Sequence, residues 1–114
     1  MAECLFCKII NHEIPSETVY EDEKLLAIKD IHPQAPVHLL IMPKKHIPTL
    51  LDLAGEDKDL IGDIYLVANR LAREKSTAQC GFRLVTNCGP DSGQEVLHIH
   101  FHLLGGRKLN WPPG

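Results

Sequence analysis

The sequence predicts an α+β domain built on one antiparallel sheet of about five strands with two main helices. Three observations support this prediction. The predicted elements follow one another in the order helix, strands, helix, strands; the connections between them are short; and the longer helix has one continuous apolar face. At 114 residues the chain, 1–114, is expected to form one domain, because its length does not support two independent cores.

The N-terminal part of the chain is predicted to contain a short helix and three strands. Residues 4–11 favour a helix that ends before Pro15, since the residue preceding a proline is pushed out of the helical region. The stretches 19–21 and 25–29 flank an acidic turn and predict a hairpin. The stretch 37–42 is almost continuously apolar, which is typical of a central buried strand.

The C-terminal part is predicted to contain the long helix and the remaining strands. Apolar residues recur at spacings of three and four over 56–74, which predicts a helix with one buried face. Residues 82–87 favour a strand, 88–94 a glycine-containing loop, and 95–104 a last strand. We expect the helices to cover one face of the sheet.

The composition favours a globular protein that acts on small molecules. Hydrophobic residues make up 44% and charged residues 24% of the chain, and the net charge is −3 without a basic patch, so no nucleic acid is expected as a partner. The apolar runs are far shorter than a membrane span, and the N-terminus lacks a signal-peptide pattern. We therefore expect a cytoplasmic protein with reduced cysteines and no membrane partner.

Histidines alternate with apolar residues near the end of the chain, at His98, His100 and His102. In a strand these three side chains would project from one face, about 6.5–7 Å apart, while Ile99 and Phe101 turn to the core. This spacing suits an imidazole that attacks a phosphorus while its neighbours bind the surrounding oxygens. The loop before them contains two glycines, which favours close approach of backbone amides to a phosphate.

Two other interpretations of these histidines stay open from the residues alone. One is a half-exposed strand whose polar face happens to be histidine. The other is a metal-binding His-x-His pattern, in which the ion activates a water molecule. The nearby sequence offers only Glu95 as a carboxylate that would serve such an ion as base or ligand.

The segment 93–97, followed by the alternating histidines, resembles the histidine triad family. The stretch 30–38 is similar to the nucleotide-binding segment of that family, and 105–107 with the tail 111–114 resembles its Hint branch, so the likeness extends over residues 6–114. The resemblance implies hydrolysis of purine nucleoside phosphoramidates without a catalytic cofactor. His100 would attack the α-phosphorus and expel the amine, and water would then hydrolyse the nucleotidyl-histidine.

The resemblance also implies roles for the residues around His100. His98 and His102 complete the catalytic triad, and His38 supports the orientation of His100. Asp30 would bind the ribose hydroxyls. The residues implied at the phosphate are His102, Gln94 and the backbone of Gly93, Glu95 and Val96, with Asn87 near the phosphate or the ribose. The residues implied in the apolar slot for the base are Leu5, Phe6, Ile9, Ile28 and Ile31.

One position departs from the Hint pattern. Many members have a serine after Gly-Gln, where this chain has Glu95, and this leaves the preference for the leaving group open. The alternative functions are hydrolysis of dinucleoside polyphosphates, against which the tail 111–114 argues, and a non-catalytic module that binds nucleotides or regulates a partner. The resemblance further implies a homodimer whose long helices and central strands pack across a two-fold axis and extend the sheet.

Cys4 and Cys7 form a C-x-x-C pair, which by itself is weak evidence for a metal, since two thiols on a short helix are often buried small residues. Some histidine triad proteins bind a structural zinc through such a pair, a histidine after a Pro-Lys turn and the first triad histidine. This chain has both histidines, as His46 and His98. Such a site would be closed and would not take part in catalysis. Alternatively, His46 is a surface residue and His98 only a hydrogen-bonding triad member.

Overall fold

Five antiparallel strands form a single sheet in a computed structural model that describes residues 4–114. The strands are β1 (Thr18–Glu21), β2 (Leu25–Lys29), β3 (Val37–Pro43), β4 (Phe82–Thr86) and β5 (Phe101–Gly105). The two α-helices are α1 (Leu5–Ile10) and α2 (Lys58–Glu74). The spatial order of the strands is β1-β2-β3-β5-β4. The predicted α+β class, with five antiparallel strands and two helices, is confirmed.

The two helices contact opposite faces of the sheet, so the prediction that they cover one face is wrong. Leu25 and Ala27 of β2 belong to the apolar cluster that contains the buried side of α2. Leu26 and Ile28, which point the other way, pack in a second cluster with Phe6 and Ile9 of α1. Since consecutive positions of β2 are buried, both faces of the sheet need a cover.

The long helix α2 begins at Lys58, two residues later than the pattern predicted, because a 3₁₀ turn, Gly55–Asp57, precedes it. The carboxylate of Asp57 caps the start of that turn by accepting a hydrogen bond from the Ala54 backbone N–H at 2.9 Å, and it also accepts one from the Lys45 ammonium at 2.7 Å. Neither helix in the described part of the chain is both long enough and apolar enough to cross a membrane.

The last strand begins at Phe101, whereas the pattern predicted a strand from residue 95. Phe101 pairs with Ile41 of β3, and continued pairing would bring Ile99 opposite Pro43, which has no N–H to donate. Ile99 instead donates its N–H to the carbonyl of Ile47 at 2.8 Å. The residues that carry the first two triad histidines therefore lie in a loop before the strand.

The two edges of the sheet are β1 and β4. The central strands β3 and β5 are each paired on both sides within the chain, so an extension of the sheet into a partner would have to start at an edge strand. Only an edge strand has backbone N–H and C=O groups left for such pairing.

Candidate active site

A cavity of about 370 Å³ opens between α1, the first residues of the connection from β2 to β3, and the loop that leads to β5. Its lining contains His100 and His102 together with ten of the eleven residues predicted to bind a nucleotide. Those ten are Leu5, Phe6, Ile9, Ile28, Asp30, Ile31, Asn87, Gly93, Glu95 and Val96. The structure thus brings together residues that are up to 97 positions apart in the sequence, counted from Leu5 to His102.

His100 is half-buried and has one nitrogen fixed by the backbone. Its Nδ1 lies 2.8 Å from the carbonyl oxygen of His98, which can only accept, so Nδ1 donates and Nε2 keeps its lone pair. Phe6 packs edge-on against the ring with 4.8 Å between the centroids. Burial lowers the pKa of His100, against the opposing effects of the His98 carbonyl and Asp30. The imidazole is therefore neutral at pH 7 and can act as a nucleophile.

His102 accepts a hydrogen bond from His38, whose Nε2 also lies near the carboxylate of Asp30. His38 accepts the Gln34 backbone N–H on Nδ1 at 3.0 Å, so its proton is on Nε2. That Nε2 lies 2.9 Å from Nδ1 of His102 and 3.3 Å from a carboxylate oxygen of Asp30. His102 accepts on Nδ1 and keeps a proton on Nε2. His38 contacts His102, which in turn lies against His100, so the support predicted for the orientation of His100 would pass through His102.

His38, His100 and His102 are uncharged at neutral pH, because burial lowers the pKa of each ring. Burial, together with the neighbouring His100 and His38, lowers the pKa of His102 to about 4. Burial also lowers the pKa of His38, although the charge of Asp30 opposes this. We refer to Asp30, His38, His100 and His102 as the cavity group. It offers a nucleophilic nitrogen and a neutral N–H donor within one cavity, with ring centroids of His100 and His102 at 5.1 Å.

His98 does not share the cavity with the other two triad histidines. It is fully buried, and its Nε2 donates to the carbonyl of Pro43 at 2.7 Å, so that Nδ1 keeps its lone pair. Nδ1 faces the sulfurs of Cys4 and Cys7 at 3.4 and 3.6 Å and Nδ1 of His46 at 3.2 Å. We refer to Cys4, Cys7, His46 and His98 as the thiol–imidazole group.

The thiol–imidazole group fits a tetrahedral zinc ion. Its four ligand atoms lie within 4.8 Å of one another. Zn–N and Zn–S bonds of about 2.0–2.1 and 2.3 Å place tetrahedral ligands roughly 3.3–3.8 Å apart, close to the observed separation of 3.2 Å between the two imidazoles and 3.3 Å between Cys7 and His46. The hydrogen bond from His98 to Pro43 fixes the ligating tautomer, as is usual for the outer contacts of metal-binding histidines.

Asp30, His38 and His102 also lie close enough together to hold a metal ion. Their hydrogen bonds do not favour one. A metal on Nε2 of His38 would require the proton on Nδ1, and Nδ1 already accepts the Gln34 N–H. The hydrogen bonds of the cavity group therefore assign its ring nitrogens to donating and accepting protons. They give no support to the interpretation of these histidines as a metal-activated hydrolase site.

Gln94 is the one predicted nucleotide-binding residue outside the cavity lining. Its side-chain oxygen accepts the Gly89 N–H at 2.9 Å, and its amide nitrogen donates to the carbonyls of Pro48 at 2.8 Å and Val96 at 3.1 Å. The side chain therefore shapes the loop whose backbone borders the cavity. Within this loop Gly93 has a φ of 87°, a left-handed conformation that favours glycine.

Sequence reasoning missed several lining residues, namely Ile14, Pro15, Ser16, Lys29 and Leu40. Leu40 was assigned to the core by the apolar pattern of its strand, and it serves both purposes because one face of β3 borders the cavity. In the sequence, Ile14 and Pro15 indicated only the end of the first helix. Nothing in that local pattern indicates that the chain turns back over the cavity.

The comparisons with known proteins agree with this geometry. Residues 3–109 match the family model described as "Scavenger mRNA decapping enzyme C-term binding". An uncharacterized HIT-like protein of Synechocystis is 50% identical, over all of both chains. A HIT family hydrolase from Legionella pneumophila is 53% identical, with a TM-score of 0.97 and coverage of 98% of this chain and 100% of that one. A histidine triad nucleotide-binding protein from Candida albicans is 33% identical, with a TM-score of 0.82 and coverage of 96% and 83%. The chain therefore belongs to the histidine triad (HIT) family.

Proposed function

We propose that this protein hydrolyses purine nucleoside phosphoramidates to a nucleoside monophosphate and an amine, in the manner of the Hint branch. The observation that supports this most directly is His100, a neutral imidazole whose Nδ1–H is fixed by the His98 carbonyl while the ring lines an apolar cavity. The Legionella pneumophila relative is a hydrolase and the Candida albicans relative is a nucleotide-binding protein by name, which supports the same class of reaction.

The first step forms a bond between Nε2 of His100 and the α-phosphorus and breaks the bond from phosphorus to the amine nitrogen. The amine leaves with a proton taken from solvent at the mouth of the cavity. In the second step water attacks the phosphorus, its proton returns to solvent, and the monophosphate leaves neutral His100. Two displacements replace one difficult displacement, which is the advantage of covalent catalysis. The His98 carbonyl stabilises the positive ring in the intermediate.

The rest of the cavity binds the nucleotide. The apolar side chains of α1 and β2 surround the base, and Asp30 accepts hydrogen bonds from the ribose hydroxyls. One oxygen of Asp30 accepts the His32 N–H at 2.7 Å, but a carboxylate has further lone pairs. The Nε2–H of His102 and the backbone of Gly93 to Val96 hold the phosphate oxygens, with Asn87 beside them. Gln94 acts as a positioning residue for this loop.

Glu95 supplies a negative charge to the cavity lining. It is exposed, and among the described residues no ion pair or side-chain hydrogen bond engages its carboxylate. The single lysine of the lining, Lys29, is paired with Glu17 at 2.8 Å. A substrate whose amine part is positively charged would relieve this imbalance, so Glu95 favours cationic amines such as a lysine side chain linked to AMP.

We further propose that the thiol–imidazole group binds a structural zinc ion. Two thiolates and two imidazoles fill a tetrahedral shell, so the ion has no open position for a water molecule or substrate. Cys4, Cys7, His46 and His98 would join α1 to the loop after β3 and to the loop before β5. The ion would stabilise the fold and would have no part in the reaction.

A homodimer in the cytoplasm is the assembly we propose. The edge strand β4 leaves one side of its backbone unpaired within the described chain, and Tyr65 and Leu66 of α2 are 53% and 67% exposed. A two-fold axis that pairs such an edge would extend the sheet, and exposed apolar residues on a helix are typical of a surface that is covered in an assembly.

The function is tested by incubating the protein with adenosine 5′-phosphoramidate and with AMP-lysine, beside a His100→Ala variant. We expect release of AMP by the wild type, loss of release in the variant, and unchanged release on brief exposure to a chelator. Prompt loss of turnover in a chelator-treated protein that stays folded would point to a metal hydrolase. Tight binding of AMP without turnover would indicate a binding module, and preference for a diadenosine polyphosphate would indicate the sister activity.

A further inference from the structure

The helix that provides two ligands of the thiol–imidazole group also forms a wall of the nucleotide cavity. Cys4 and Cys7 flank the first turn of α1, and Leu5, Phe6 and Ile9 of the same helix line the cavity. Phe6 contacts both groups, with its ring centroid 6.0 Å from that of His98 and 4.8 Å from that of His100. A change at the two sulfurs therefore acts on the cavity wall directly.

The short helix α1 depends on such contacts for its position. Six residues are too few for a helix that is stable on its own, so α1 is held by the packing of Phe6 and Ile9 and by the contacts of its two cysteines. The sulfur of Cys4 accepts the Cys7 N–H at 3.3 Å and lies 3.4 Å from Nδ1 of His98. Both cysteines are half-buried, so small oxidants can reach them.

We propose that Cys4 and Cys7 form an oxidative modification site that controls nucleotide binding, a proposal that rests on the proposed nucleotide-binding function of the cavity. Hydrogen peroxide joins the two sulfurs: each sulfur gives up one electron, one S–S bond forms, the O–O bond breaks, and the two oxygens leave as water. The two protons this requires come from the S–H groups or, where zinc holds thiolates, from solvent. A zinc ion held by the group loses two of its four ligands in this step and is released. A dithiol reductant reverses the reaction.

The disulfide changes the wall because it takes both sulfurs away from the imidazoles that hold the helix. Before oxidation the sulfurs lie 3.3–3.6 Å from Nδ1 of His46 and of His98. Once they are joined to each other and share no ion with those imidazoles, they no longer tie the first turn of α1 to the loops after β3 and before β5. Leu5 and Phe6 lie between the two cysteines and move with that turn. Nucleotide affinity falls, because these side chains are part of the apolar slot.

The nucleophile is affected less than the slot. His98 stays fixed through Nε2 to the Pro43 carbonyl, and the His98 carbonyl stays on Nδ1 of His100. Both contacts belong to the loop before β5, which does not include the cysteines. We therefore expect oxidation to raise the KM for substrate and the Kd for AMP, each about tenfold, while kcat at saturating substrate falls by less than about threefold.

The experiment treats the reduced, zinc-supplied protein with hydrogen peroxide. Peptide mass mapping locates the disulfide, a chromogenic chelator measures zinc release, and calorimetry measures the Kd for AMP before oxidation, after it, and after reduction with added zinc. The matched control is Cys80→Ser, which removes an exposed thiol away from both groups and is expected to respond as wild type does. Cys4→Ser/Cys7→Ser is expected to bind AMP weakly and to ignore peroxide, with circular dichroism to check that it folds.

Three results would overturn the proposal. Oxidation at Cys80 or Cys88 while Cys4 and Cys7 stay reduced would show that the Cys4–Cys7 pair is not the oxidation site. A mapped Cys4–Cys7 disulfide with unchanged Kd for AMP would show that oxidation of the pair does not control nucleotide binding. Absence of AMP binding by the reduced protein would reject the proposed function and the coupling together, whereas mass mapping and zinc release would still decide whether the cysteine pair is oxidised as a unit.

Discussion

The cavity group and the thiol–imidazole group use the same alternating histidines for different chemistry, and the position of one proton separates them. In His98 the proton is on Nε2, where the Pro43 carbonyl accepts it, and the lone pair on Nδ1 faces two sulfurs. In His100 the proton is on Nδ1, where the His98 carbonyl accepts it, and Nε2 is left as the nucleophile. Backbone carbonyls thus decide which histidine suits a metal and which suits a phosphorus.

The first way to test this difference is His100→Ala, for which we expect the largest effect. Removal of the nucleophile should lower kcat by about 10³-fold or more, as the loss of a covalent catalyst does in other enzymes. The melting temperature and the zinc content should stay close to wild type, because His100 is not in the thiol–imidazole group. His32→Ala, a change at an exposed histidine, is the control and should retain activity. A His100→Ala protein with near-wild-type kcat would contradict the assignment.

The opposite change is made in the thiol–imidazole group with His46→Ala. This variant should lose zinc, and its melting temperature should fall by about 10 °C. A ligand present at a hundred times its Kd adds about 2.7 kcal/mol, and each kcal/mol shifts the melting temperature of a small domain by about 4 °C or more. At saturating substrate kcat should change far less than in His100→Ala. Calorimetry and metal analysis check this, and equal stability with and without zinc would show that the group is not a structural metal site.

Within the cavity group, His38→Ala tests whether the tautomer of His102 matters. The variant removes the donor to Nδ1 of His102, so the ring can turn its proton away from the phosphate. Loss of a buried hydrogen-bond partner costs about 1–3 kcal/mol, which corresponds to a fall in kcat of roughly 5- to 150-fold. Nitrogen chemical shifts of His102 report the tautomer directly. If kcat falls but the shifts show Nε2 still protonated, His38 acts in another way.

Acid should weaken the fold partly through His102. Its pKa is about 4 in the folded protein, against the usual 6.5, because it is buried and faces His38 and His100. Between these two values the unfolded chain binds more protons than the folded one, so the free energy of unfolding falls as the pH is lowered from 6.5 towards 4. The free energy of unfolding, measured with denaturant at several pH values in this range, should depend less steeply on pH for His102→Gln than for the wild type. Equal slopes would mean that His102 does not titrate as described.

Glu95→Gln should give the smallest effect, on the choice of amine. The ratio of kcat/KM for AMP-lysine to that for a neutral AMP-alkylamine should fall about two- to fivefold, the size expected for an exposed ion pair, and added salt should reduce the ratio in the wild type only. Glu56→Gln, which changes an exposed carboxylate on another loop, is the control. An unchanged ratio would show that the Glu95 charge does not reach the amine.

The sheet was easier to predict from the sequence than the details of the site. The strand at 25–29 has the predicted bounds, because apolar runs between turn residues are local signals. The start of the last strand was misplaced because the reason lies on another strand, where Pro43 cannot pair with Ile99. The helices were placed on one face because the pattern of 4–11 says nothing about which side of the sheet it will contact.

The cavity lining was largely predicted through the family resemblance, whereas individual contacts were not. The sequence did not indicate that His38 contacts His102, since this contact depends on the register of β3 with β5, in which His38 lies opposite Leu104. Gln94 was expected at the phosphate, but its side chain bonds three backbone groups: two in its own loop, at Gly89 and Val96, and one brought there by the fold, at Pro48. Side-chain partners of this kind depend on tertiary structure and leave no local pattern.

The central claim is that His100 attacks the phosphorus, and a trapped intermediate tests it most directly. The protein is mixed with a phosphoramidate of radiolabelled AMP, quenched in alkali within one turnover, and digested for peptide mass mapping. We predict label on the peptide that contains His100, at that residue, and none after His100→Ala. Turnover that proceeds at the normal rate with no label on His100, or with label on another residue, would contradict the mechanism.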